Sequence, residues 1–164
     1  MTWLGYRRPD GSYGARNYVL IVPGGIVSDE ICRFVQGTRT LITPQAPGGR
    51  TKGDRETFAR VYTGLAKNPN VASVIVNGTG SGRDYPEVLP DKLDEEIKKS
   101  GKRVELLNPD GSDTISLIGK GIRLAREMVY EASKLRREPC SDSHLAIGVK
   151  CGASDPTSGI AGNP

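Results

Sequence analysis

Apolar positions along the chain fall into two alternating patterns: short unbroken runs, and longer stretches spaced by three and four. The short runs lie at 18–22, 39–43, 70–77, 103–107 and 145–149. Rich in Val, Ile and Leu and bounded by Gly, Pro or Asn, they predict strands buried on both faces. Helical spacing appears four times. Ile31, Phe34 and Val35 follow Ser28-Asp29-Glu30, an N-cap with acidic first-turn residues. Phe58, Val61, Tyr62 and Leu65 follow Asp54 as a cap, and Val88, Leu89, Leu93 and Ile97 lie within 85–100, interrupted early by Pro90 and stopped by Gly101. Behind Ser112 or Asp113, the series Ile115, Ile118, Ile122, Ala125, Val129, Ala132 is the clearest helix and runs to about Arg137.

Strand and helix alternate through five strands without a repeat or linker, so parallel pairing with right-handed crossovers is expected. The predicted fold is a three-layer α/β domain, Rossmann-like or flavodoxin-like, with a parallel five-stranded sheet. Its site lies outside the carboxyl ends of the strands, where loops at Pro23, Pro44, Gly78, Asn108 and Lys150 should open together. Residues 1–16 read as a polar arm, 17–151 as the single α/β domain, and 152–164 as a glycine-rich terminal segment. The arm carries Arg7, Arg8 and Arg16 around the turn Pro9-Asp10-Gly11-Ser12. Arg16 directly precedes the first strand, so a rigid neighbour aims it, and an arginine fork suits a carboxylate.

Composition narrows the function classes. Glycine, 21 of 164 residues, exceeds the usual share of about 7% and suggests loops where backbone meets ligand or a packed neighbour. A formal charge of +4, with basic and acidic residues interleaved, gives no basic stripe for nucleic acid. Cys32, Cys140 and Cys151 form no CxxC pair, which argues for a reducing compartment and against a disulfide framework or structural zinc. No apolar run of about 18 residues and no leader pattern appear, so a soluble cytoplasmic protein is expected.

Candidate chemistry concentrates after the last apolar run, where Lys150, Cys151, Ser154 and Asp155 offer an amine, a thiol, a hydroxyl and a carboxylate within six residues. One reading is a strand delivering a site; the other is an ordinary polar turn after a core strand. The loop over 44–53 exceeds the usual βα connection of about two to six residues, a length that marks functional or mobile loops. Gly78-Thr79-Gly80-Ser81-Gly82 lacks the GxGxxG spacing and any following Lys-Ser/Thr, so tight turns explain it better than a phosphate cradle.

The run KCGASDPTSGIAGNP over 150–164 resembles the KCGGSD...SGI.ANP signature of the altronate and galactarate dehydratase family. Gly5-Tyr6-Arg7-Arg8-Pro9-Asp10-Gly11 with Gly14-Ala15-Arg16-Asn17-Tyr18 is similar to the segment that opens the large catalytic part of those enzymes, and Asn68-Pro69-Asn70-Val71 resembles the family's HPNV step. The resemblance implies a hydro-lyase acting on a hexonate or hexarate, with a proton removed beside the carboxylate and the neighbouring hydroxyl leaving, assisted by a divalent metal such as iron. It implies Lys150 and Asp155 as catalytic, Arg16, Asn17, Ser154 and Ser158 as substrate-binding, and Cys151 as a metal ligand. The chemistry suits these types, because a developing enediolate needs positive charge and a departing hydroxide needs an acid or Lewis acid.

The resemblance departs at three places. The family's cysteine after the first strand, its His- and Cys-rich segment after the second, and its cysteine after the third are here Pro23-Gly24-Gly25, Pro44-Gln45-Ala46-Pro47-Gly48 and Gly78-Thr79-Gly80-Ser81-Gly82. The sequence halts inside the signature at Asn163-Pro164, so further domains or subunits are the expected partners, alongside the sugar-acid substrate and a homo-oligomeric copy. Two other readings fit the same motifs: a substrate-binding or assembly module of a split enzyme, and a sulfolactate sulfo-lyase large subunit.

Overall fold

The computed structural model of the protein describes residues 2–41, 51–79, 85–148, 157 and 160. In chain order the elements begin with strands β1 (Thr2–Arg7), β2 (Tyr13–Gly14) and β3 (Tyr18–Val22), helix α1 (Ile26–Phe34) and strand β4 (Thr38–Thr40). Then follow α2 (Lys52–Lys67), β5 (Val71–Asn77), α3 (Pro90–Lys98), β6 (Arg103–Leu107), α4 (Thr114–Lys134) and β7 (Glu138–Ser141). Strands β3 to β6 make one parallel sheet in the order β4-β3-β5-β6.

The unbroken apolar runs are explained by helices on both faces. On one face Val19, Ile21, Ile75 and Leu107 pack against Val27 and Ile31 of α1 and Leu117, Ala125 and Met128 of α4. On the other, Leu20, Val22, Val74, Val76 and Val104 meet Tyr62 and Ala66 of α2 and Leu93 and Ile97 of α3. Burial of a side chain on each face, residue by residue, leaves no room for alternation with polar groups. Local signals set most helix starts: Thr51 and Asp54 form a capping box on α2, Asp113 accepts from the Ser116 amide at 3.0 Å on α4, and Pro90 opens α3 instead of interrupting it.

Three layers and parallel pairing match the expectation, but the sheet has four strands, not five. Residues 145–148 are exposed and outside any strand. The strand forms earlier, as β7, which pairs antiparallel with β1 in a second, three-stranded sheet of order β2-β1-β7. Among the described residues β6 is an edge strand, and it carries charge of the kind common on such strands: Arg103 bonds Glu105, Glu127 and Glu131 at 2.9, 2.8 and 2.6 Å. The lead-in read as a polar arm is likewise built into a sheet. Trp3 Nε1 donates to the Ser141 carbonyl at 3.1 Å, the Cys140 thiol donates to the Trp3 carbonyl at 3.4 Å, and Tyr13 donates to Glu138 at 3.0 Å.

Two buried cations fasten the turn after β1 to the amino edge of the parallel sheet. Arg8 donates to the Pro69 carbonyl, the Asn17 amide oxygen and the Arg16 carbonyl at 2.6, 2.9 and 2.9 Å. Lys102 donates to the carbonyls of Ala66 and Asn68 at 3.0 and 2.7 Å, closing the C-terminus of α2. Burial, reinforced by the nearby Arg8 charge, pushes the Lys102 ammonium down to about 8. The folded value lies below the unfolded one, so protonation favours the unfolded chain. The penalty is complete below pH 8 and fades as pH rises toward the ordinary lysine value. Stability of the native chain relative to Lys102→Met should therefore climb between pH 8 and 10; parallel urea titrations with a constant difference would refute this.

Candidate functional site

In a sheet of this order the chain leaves the central pair in opposite directions, and the crevice outside the carboxyl ends of β3 and β5 is where such folds bind ligands. Here the crevice is framed by Pro23-Gly24-Gly25 after β3 and Asn77-Gly78-Thr79 after β5. Gly25 caps α1 at φ 149°, a backbone region that L side chains rarely adopt, and no side chain closes the helix's first amides. At Gly24 a Cβ would sit on the Leu41 carbonyl oxygen, so only glycine lets the turn lie over the end of β4.

A polar chain spans the crevice. Asn77 donates from Nδ2 to Ser28 Oγ at 2.9 Å, and Ser28 donates to the Pro23 carbonyl at 2.7 Å. Asn77 Oδ1 accepts from the Thr79 amide and hydroxyl at 3.0 and 2.7 Å. Both Asn77 and Ser28 are buried, so the loops after β3 and β5 are locked together by hydrogen bonds shielded from water. Gly78 adds a bond to the Leu107 carbonyl at 2.9 Å, which ties in the end of β6. The expected convergence of loops at Pro23, Gly78 and Asn108 on one edge is thus present; those at Pro44 and Lys150 lie outside the described residues. Asn77→Ala should cost about 1–3 kcal/mol, because it leaves the Thr79 amide unpaired and removes the donor to Ser28. Equilibrium unfolding in urea measures this directly, and an unchanged midpoint would show the chain of bonds to be incidental.

Ser28 was expected as the helix cap but lies inside α1 with its hydroxyl turned back to Pro23. A polar residue closing an apolar run just before glycine was the signal for Asn77. Arg16 and Asn17 are at the other end of the sheet, about 17 Å away along β3. Asn17 spends its amide within the fold, accepting from Arg8 and donating to the Ala132 carbonyl at 2.6 Å. Arg16 donates its backbone amide to Asn70 at 2.9 Å. Lys150, Cys151, Ser154, Asp155 and Ser158 lie outside the described residues.

Among the described residues no three His, Cys, Asp or Glu side chains converge where a cation could sit. Cys32 and Cys140 do not offer thiolates to the crevice: burial pushes both thiols up, Cys32 toward the end of α1 and Cys140 in the small sheet. The described donor set does not fit a divalent metal. Nor, among these residues, is any helix long and apolar enough to cross a membrane.

A parallel sheet with helices on both faces, its strand order reversing between β3 and β5, defines a doubly wound α/β domain, a class in which ligands bind at that edge. Residues 5–133 match the family described as D-galactarate dehydratase/Altronate hydrolase, second domain, and the chain belongs to that family. Over 99% of its length it is 38% identical to the (2R)-sulfolactate sulfo-lyase subunit beta of Chromohalobacter salexigens, covering 41% of that protein. It is 30% identical to the altronate dehydratase of Bacillus subtilis, over 99% of this chain and 34% of the relative. It is 25% identical to the galactarate dehydratase (L-threo-forming) of Escherichia coli, over 99% of this chain and 35% of the relative. The chain therefore spans well under half the length of these curated relatives. No solved structure matches it significantly.

Proposed function

We infer that the chain is the crevice-bearing α/β part of a lyase that eliminates a group from a 2-hydroxycarboxylate, and that sulfolactate is favoured over a sugar acid as substrate. The observation that carries this is the 38% identity to a sulfo-lyase subunit against 30% and 25% for the two dehydratases, each over 99% of the chain. The substrates share one chemical end. In each, the carbon bearing the carboxylate and hydroxyl gives up its proton, and the bond from the next carbon to the leaving group breaks. From sulfolactate the electron pair departs on sulfite and the enol becomes pyruvate; from a hexonate or hexarate, water departs and a 2-keto-3-deoxy acid remains.

The amides at the start of α1, which no side chain caps, are the donors a carboxylate would use, with Asn77 and Thr79 beside them and Asp29 the one acidic residue in the helix's first turn. Lys150 and Asp155 are the proposed catalytic pair, with Ser154 and Ser158 on the substrate and Cys151 beside them. A second reading, a binding or assembly module, is supported by the name "subunit beta" of one relative. The test is an assay of this chain alone and with the remaining portion of the enzyme, with and without ferrous iron. Sulfite release from (2R)-sulfolactate in the assembled form supports the reading. Turnover of altronate or galactarate without sulfite release from sulfolactate would overturn the substrate, and turnover by the chain alone would overturn the module.

A further inference from the structure

A cavity of about 200 Å³ lies at the amino edge of the parallel sheet, beneath the last turns of α4. Ser73 and Arg103 line it as register partners near the starts of β5 and β6, Met128 and Leu135 give it apolar walls, and Glu131 stands beside them. Asn77 of the crevice is about 13 Å farther along β5, so the two sites are separate. Two independent observations meet in the cavity. The first is a hydroxyl with nothing to bond: Ser73 is 6% exposed, and its Oγ has no hydrogen-bond partner among the described residues. Burying such a group carries a cost that alanine at the same position would avoid. The second is charge. Arg103 takes one oxygen from each of Glu105, Glu127 and Glu131, so one guanidinium faces three carboxylates and two negative charges are left over. The cations at the end of α4 do not cancel them: Lys134 is drawn onto the Tyr130 ring at 4.2 Å and Arg137 onto the Tyr6 ring at 5.0 Å, and neither lines the cavity. The carbonyl end of α4 adds to the negative potential.

We propose that this cavity binds a short straight-chain amino alcohol, with its ammonium at Glu131, its methylenes along Met128 and Leu135, and its hydroxyl on Ser73. Each part of the ligand answers one observation. The ammonium meets the surplus negative charge at a carboxylate that is itself half exposed, so little water has to be stripped from either group. The inner group is neutral, because a charge seated on a buried hydroxyl would lack a counter-ion. A hydroxyl both donates and accepts, which is what the Ser73 side chain requires. A divalent cation fits less well, since among the described residues no three His, Cys, Asp or Glu side chains converge to hold one, and an anion is opposed by the surplus charge. The site stands apart from the crevice, and the proposal does not rest on the lyase reading.

Amide chemical-shift titration of the intact 164-residue chain tests it, with the amino alcohols from ethanolamine to aminopentanol as probes and butylamine and butanol as the two separate ends. A member of the series should shift Ser73, Arg103, Glu131 and Leu135 saturably while Gly25 and Thr79 of the crevice stay still. Butylamine, with nothing for Ser73, should bind about five-fold more weakly than the best amino alcohol, and butanol, with nothing for Glu131, at least about ten-fold more weakly. Ser73→Ala should bring the amino alcohol to the affinity of butylamine without lowering Tm, since the hydroxyl it removes has no partner to lose. Glu131→Gln should weaken the amino alcohol and butylamine alike, by about ten-fold. Absence of saturable shifts at these residues overturns the proposal. So does an affinity for the amino alcohol that ignores Ser73→Ala or that butanol equals. A Tm loss in Ser73→Ala also overturns it, by showing that water already satisfies the hydroxyl.

Discussion

Replacing Arg8 by methionine is expected to remove about 2–4 kcal/mol of stability and lower Tm by roughly 10 °C. The side chain is buried, and its guanidinium reaches three acceptors in two distant segments: the Pro69 carbonyl before β5, and the Arg16 carbonyl and Asn17 amide oxygen in the connection before β3. Methionine keeps most of the stem's packing but leaves three part-buried acceptors without their donor, each at some desolvation cost. Arg8→Lys should recover only part of the loss, because a point charge does not span acceptors that a planar fork satisfies together. Thermal and urea unfolding measure both variants; a loss below about 1 kcal/mol would mean that water reaches these groups.

Arg8 also shows where reading the sequence stops. Arg8 and Arg16 are indistinguishable as letters in a polar lead-in, and proximity to the first strand favoured Arg16 as the functional one. The fold buries Arg8 instead, through contacts to residues up to 61 positions away that no local pattern contains. The same reason hid the small sheet. β1 mixes Thr, Trp, Gly and Arg, and β7 is Glu-Pro-Cys-Ser, whose proline argues against a strand; the two are strands because they pair across the length of the chain. By contrast β3, β5 and β6 were legible because both faces are buried, and α4 was legible as a helix although its buried face is Leu117, Gly121, Ala125, Met128 and Ala132, with Ile115 at the head of the expected series left exposed. The apolar run at 145–149 has strand composition but shows that composition names no partner. At the crevice, the edge of the sheet was legible from the glycine turns, whereas the Asn77–Ser28 bond depends on packing between β5 and α1.

Lys150→Met is expected to lower kcat in the assembled enzyme by about 100- to 1,000-fold, the range for removing one stabiliser of a developing anion. Asp155→Asn should lower it by about 100- to 10,000-fold, the range for losing a positioned proton carrier. Both follow from the proposed roles: Lys150 supplies charge beside the carboxylate when the carbanion forms, and Asp155 moves the proton. Methionine keeps the lysine stem and asparagine the carboxylate's shape, so Tm should change by only a degree or two on the scale of surface substitutions. Steady-state kinetics with thermal unfolding separates the effects. Normal turnover by the two variants would remove both residues from the site, while a large Tm loss with proportionate loss of activity would make them structural.

Trp3 is the sole tryptophan, and it sits in the small sheet opposite Cys140 with its indole bonded to Ser141. Its fluorescence therefore reports the closure of β1 on β7, with a thiol near enough to quench emission, while far-UV ellipticity is dominated by the four helices around the parallel sheet. The chain thus carries two optical probes of two different sheets. Coincident transitions would make the small sheet part of one cooperative unit, and earlier loss of the indole signal would make the β1–β7 seam the first to open, releasing the segment that leads from β7 to Lys150.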